Sequence, residues 1–172
     1  MGPSMMHRFA EANFQPIDVD GVLVHPMLRV KVSSGDVLRL TWLSAGSPRV
    51  QGVALRLRLP EVPGRGGEGG LLRVESAESP AILLWMDTAP PVVEVTCVKV
   101  FEGAQLQISN RWRAENGRED EWLNNYGMVI DEVAAGSYVL LCSDGHGAEP
   151  SFDDLVVRVD VVADHAREPS SA

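Results

Sequence analysis

The chain has 172 residues and a mass of 18.7 kDa, the size of one ordinary domain. Hydrophobic residues make up 45%, charged residues 23% and aromatics 6%, which excludes a collagen, a coiled coil and wholesale disorder. With 15 Lys and Arg against 24 Asp and Glu the net charge is −9, so neither the clustered positive charge of a nucleic-acid surface nor attraction to an anionic membrane is expected.

The opening residues lack the apolar stretch of a signal peptide, and no window approaches a membrane span. A cytoplasmic location is therefore expected. Residues 1–14 read as an N-terminal segment whose first four residues look appended, with one short helix over His7 to Phe14. Residues 15–163 read as a single domain and 164–172 as a disordered tail.

Strand signals dominate from there. Leu28-Arg29-Val30-Lys31-Val32 alternates apolar with charged residues, the pattern of a half-buried strand. A turn at Ser33-Ser34-Gly35-Asp36 leads to a second strand over Val37 to Leu43, and the two are expected to pair as a hairpin. In Val53 to Leu59 the leucines at 55, 57 and 59 face inward, and Arg56 and Arg58 face outward. The Gly- and Pro-rich stretch 60–70 is a loop. It lacks the Gly-Lys-Ser/Thr ending of a phosphate loop.

Leu71 to Glu75 is a further strand. The continuously apolar run Ala81 to Met86 suggests a central strand covered on both faces. Val92 to Phe101 is a long valine-rich strand, and another begins at Leu106. Asn116-Gly117 favours a two-residue hairpin turn, which would set Arg113 opposite Asp120, Trp112 opposite Glu121 and Arg111 opposite Trp122, with the tip projecting. Gly127 to Glu132, Gly136 to Ser143 and Asp154 to Val162 complete the set. About ten strands without βα alternation predict an all-β fold, a two-sheet antiparallel β-sandwich of jelly-roll type.

Cys97 and Cys142 sit in apolar strand runs and read as buried free thiols. No Gly-x-Ser-x-Gly elbow is present, and Cys142, Asp144 and His146 lack a fourth ligand for a structural zinc. Asp144, Asp153 and Asp154 flank one loop, where three carboxylates would suit Ca²⁺. The run Asp144-Gly145 followed by Phe152-Asp153-Asp154-Leu155-Val156-Val157 resembles the terminal-strand motif of secreted calcium-binding β-sandwich domains. The likeness covers about fifteen residues. Ser151 and Asp153 depart from that pattern, and one of its ligands is missing. The alternative is that Asp153 and Asp154 bond loop amides.

Arg111, Trp112, Arg113, Trp122, Asn124, Asn125 and Tyr126 form the second candidate, because Trp, Tyr and Arg are enriched at binding hot spots. The competing reading has Trp112 and Trp122 packed onto neighbouring loops. Trp42 and Trp85 read as core. Two functions follow. One is a non-enzymatic binding or assembly module for a protein or carbohydrate-like ligand, with self-association through a sheet edge as a variant. The other is a cation-assisted hydrolase using Asp144, His146, Asp153 and Asp154.

Overall fold

A computed structural model describes residues 4–59, 67–113, 119–120, 125–145 and 149–162. The tail, the tip of the 111–122 hairpin, Trp122, Asn124 and His146 lie outside the described residues. The fold is all-β with antiparallel pairing and one short helix, α1 (Met5–Glu11). Ser4 caps α1, its hydroxyl accepting from the His7 N–H. Asn13 and Phe14, both at positive φ, turn the chain out of the helix before residue 15. No helix among the described residues is long and apolar enough to cross a membrane.

The strands form three sheets. β1 (Ile17–Val19) and β2 (Val22–Val24) make a small ribbon. The five-stranded sheet holds β3 (Leu28–Lys31), β5 (Val50–Arg58), β8 (Ala81–Trp85), β10 (Gln105–Arg113) and the two-residue β11 (Glu119–Asp120). Its order is β11-β10-β5-β8, with β3 also on β10. The seven-stranded sheet holds β4 (Val37–Ser44), β6 (Gly70–Val74), β7 (Ala77–Ser79), β9 (Val92–Val100), β12 (Tyr126–Ala134), β13 (Ser137–Asp144) and β14 (Leu155–Val162). It runs β12-β13-β14-β4-β9-β6-β7. The strands are thus more numerous than the ten expected, mainly because the three-residue pieces β1, β2 and β7 carry too little alternation to read.

The two larger sheets share one core. Leu55 and Leu57 of β5 and Leu106 and Ile108 of β10 meet Leu38 and Leu40 of β4, Val93 and Val95 of β9, and Val157 and Val159 of β14. Each such buried side chain stabilises the fold by about 1.5–3 kcal/mol relative to exposure. Alternation within each strand sends these residues inward and the intervening ones outward.

Three expected pairings are corrected. β3 and β4 do not form a hairpin. The Ser33–Asp36 turn is present, with the Ser33 N–H donating to Asp36 Oδ2 at 2.8 Å, but it passes the chain between sheets, so that β3 pairs with β10 and β4 with β14 and β9. β8 is an edge strand, half-buried along most of its length, and among the described residues it pairs with β5 alone. A run without charges reads as doubly covered, yet one face of β8 packs on the core and the other lies in the outer surface of the sheet. The third correction is a register: Trp112 is opposite Asp120 and Arg113 opposite Glu119, one residue from the arrangement expected. β10 itself is fixed by nine pairs to β5.

Candidate functional site

The fold splits the hairpin candidates into two groups. Trp112 and Tyr126 are buried with Met5, Phe9 and Val24 in a second core beneath α1. The rings of Phe9 and Tyr126 stand 5.2 Å apart at 50°. Gly127 lies alongside at φ 152°, where a Cβ would meet Val24 at 2.8 Å. Asn125 Oδ1 accepts from the Met5 N–H, and its carbonyl accepts from Ser143 Oγ. Trp112, Tyr126 and Asn125 therefore hold the N-terminal helix in place and do not form an exposed binding patch. Trp42 is in the main core, as expected. Arg111 and Arg113, on the opposite parity of β10, point to the outer face of the five-stranded sheet.

The acidic loop is a bonded latch. Asp144, 1% exposed, accepts on Oδ2 from Ser47 Oγ and from Gln51 Nε2 at 2.9 Å. Arg49 Nη1 donates to the Asp144 carbonyl. Asp154, also buried, accepts the Asp144 N–H at 3.0 Å. Asp153 Oδ1 accepts from Ser151 Oγ, and its carbonyl accepts from the Gly46 N–H. Donors thus occupy carboxylate oxygens that a Ca²⁺ ion would need. Among the described residues no group of three or more His, Cys, Asp or Glu is placed to hold a metal ion. The residues form a tie between the β4–β5 connection and the β13–β14 loop.

Both cysteines are free and buried. Burial pushes the Cys97 thiol up to about 11. Burial, aided by the charge of Asp154, pushes Cys142 up further. Neither thiol has the electropositive, accessible setting of a nucleophile.

The strand pairings assemble a surface that the linear sequence hides. Residues directly opposite in an antiparallel ladder share a face. Lys31 is opposite Gln105, which is opposite Arg58; Arg29 is opposite Gln107, which is opposite Arg56. Ser109, Ala54 and Leu83 make the next row, and Arg111, Gly52 and Trp85 the row after; Arg113 ends the series opposite Val50. Six of the chain's 15 cationic side chains thus sit on one face, and the ladders set Glu68 opposite Arg58 and Glu119 opposite Arg113 at its margins. Alternate residues along these strands are about 6.8 Å apart, and neighbouring strands about 4.8 Å. The expectation of no clustered positive charge is corrected here. β3, β5 and β10 contribute two cations each, and the sheet order brings them together.

Trp85 marks one end of this face. Its six-membered ring lies across Gly52, where a Cβ would fall 2.6 Å from Cε3. The guanidinium of Arg113 stands 4.3 Å from the ring centre, and Arg113 Nη1 reaches Asp87 Oδ2 at 3.5 Å. The expected Arg111–Trp122 pairing lies outside the described residues; the contact present joins Arg113 to Trp85. In the seven-stranded sheet Arg39 pairs with Glu94, Arg73 with Glu78 and Arg158 with Asp160, and Lys99 lies over the Phe101 ring.

A cleft of about 460 Å³ runs beside β8, between Leu83, Leu84 and Trp85 on one wall and Val92 and Val93 on the other. Comparison with family models, curated proteins and solved structures finds no match to this chain.

Proposed function

We propose that the protein is a non-enzymatic binding module, a β-sandwich that receives an acidic protein segment on the outer face of its five-stranded sheet. The observation that carries this reading is the gathering of Arg29, Lys31, Arg56, Arg58, Arg111 and Arg113 on that face in a chain of net charge −9. Five of the six are arginines, whose planar fork matches a carboxylate bidentately. Their spacing along the strands equals that of alternate carboxylates on an extended chain laid parallel to them.

Trp85 favours a protein over the other ligand classes. A neutral sugar or a nucleobase needs an open aromatic face for stacking. This indole is taken up by Gly52 and Arg113. The strands also supply Gln105, Gln107 and Ser109 for neutral hydrogen bonds between the charges.

The test is fluorescence anisotropy of a labelled glutamate-rich peptide titrated with the full chain at low salt. Binding that falls by about tenfold or more in a Lys31→Glu, Arg58→Glu double variant is expected. No binding by the unaltered protein, or equal binding by the variant, would overturn the proposal. Labelled oligouridylate serves as the comparison, and tighter binding of it than of the peptide would also overturn the proposal.

A further inference from the structure

The edge of β8 has an unusual symmetry. The Leu57 N–H donates to the Pro80 carbonyl and the Met86 N–H to the Gln51 carbonyl. Main-chain groups of even-numbered residues in β8 therefore face β5, and those of Ala81, Leu83 and Trp85 face away from it. Both ends of this outward row are closed. The Ala81 N–H donates to Ser79 Oγ at 3.3 Å. The Trp85 carbonyl accepts the Ala89 N–H at 2.8 Å. What remains without a partner among the described residues is the Ala81 carbonyl, both groups of Leu83, and the Trp85 N–H. Read in the reverse direction with donors and acceptors exchanged, that set is unchanged. It is the complement of itself.

We propose that two copies of this protein pair through β8, antiparallel about a two-fold axis at Leu83. Leu83 then exchanges both hydrogen bonds with Leu83 of the second copy, and each Trp85 N–H donates to the Ala81 carbonyl across the axis. Isologous contacts of this kind close at two copies. The strand itself favours a second copy over an acidic segment. Ala81 to Trp85 carries no charge, so nothing in it attracts a carboxylate and nothing repels its own image. Exposed edges are commonly guarded by lysine, proline or a bulge. Here only Pro80 stands guard, before the strand begins, and its carbonyl is turned toward β5.

The consequence is a larger surface. A two-fold axis normal to the sheet keeps the outer faces of both copies on the same side. The two five-stranded sheets become one, and their basic faces are joined across Leu83. This goes beyond the binding reading and stands without it. The paired strands are short, so the interface falls below the standard size of about 1,600 Å² and the dimer dissociates on dilution.

Sedimentation velocity of the full chain over about a hundredfold range of concentration tests it. The unaltered protein is expected to shift from monomer to dimer as concentration rises. Leu83→Lys and Leu83→Glu, which place like charges across the axis, are each expected to stay monomeric. An equimolar mixture of the two is expected to regain the dimer. Leu83→Pro removes the outward N–H and leaves the main-chain groups that face β5 in place, and is also expected to be monomeric, with the far-ultraviolet spectrum checking that the fold is kept. A monomer at every concentration would overturn the proposal, as would a dimer that persists in Leu83→Lys. A mixture that stays monomeric would overturn the Leu83-centred register.

Discussion

Asp144 keeps a carboxylate inside the protein by surrounding it with donors. Ser47 Oγ and Gln51 Nε2 both point at Oδ2, and the residue's own N–H is held by Asp154. Removing the carboxylate leaves the buried Gln51 amide with only its bond to the Arg49 carbonyl, and hydrogen bonds to charged groups are worth about 1.5–3 kcal/mol. Asp144→Ala is therefore expected to lose about 2–3 kcal/mol, read as a lower urea midpoint at unchanged slope. A change below about 0.5 kcal/mol would contradict the latch. His25 is held below its ordinary value of 6.5, first by burial and then by the charge of Arg29. Below pH 6.5 the unfolded chain binds the proton more readily than the folded one. Stability is thus expected to decline as pH falls through that value toward the folded one. Thermal melts across this range should show a shallower decline in His25→Gln, and an unchanged decline would remove His25 from the cause.

At the scale of elements, Gly52 lets two strands carry an indole flat on the sheet. Its missing Cβ leaves room for Trp85, and a Cβ there would also lie 2.7 Å from the Leu84 carbonyl. Gly52→Ala is expected to displace the ring, break the stack with Arg113 and cost about 1–3 kcal/mol. Equal stability in a thermal melt would contradict that close approach.

Strand existence is legible in β5, β9, β10 and β14 because each is eight or nine residues long and alternates over much of that length. Strand partnership was not. A local turn at Ser33–Asp36 looks the same whether it closes a hairpin or passes between sheets. The apolar run of β8 gives no sign of being an edge. Trp112 and Arg113 are adjacent in sequence, so one hot-spot pattern covered both, although alternation sends the first into a core and the second to the surface. Alternation turns Arg56 and Arg58 outward and sets Arg29 and Lys31 between apolar residues, yet nothing short of the β3–β10–β5 order makes the four neighbours.

At the scale of the molecule, net charge conceals sorting. A chain with 24 acids sets six cations on the face of one sheet, with Asp87 reaching Arg113 at one end. Like charges at such spacing repel one another, and an acidic ligand relieves that repulsion as it binds. The field of such a face reaches about one Debye length, roughly 10 Å at 0.1 M salt. Binding to it should therefore weaken as salt rises, and association should slow more than dissociation quickens. The most direct measurement is stopped-flow association of the labelled glutamate-rich peptide with the full chain at low and near-physiological salt. An association rate that falls by about tenfold or more, with a much smaller change in dissociation, is the expected result. Association indifferent to salt, or undetectable at the lowest salt, would contradict a basic face that recruits an acidic partner.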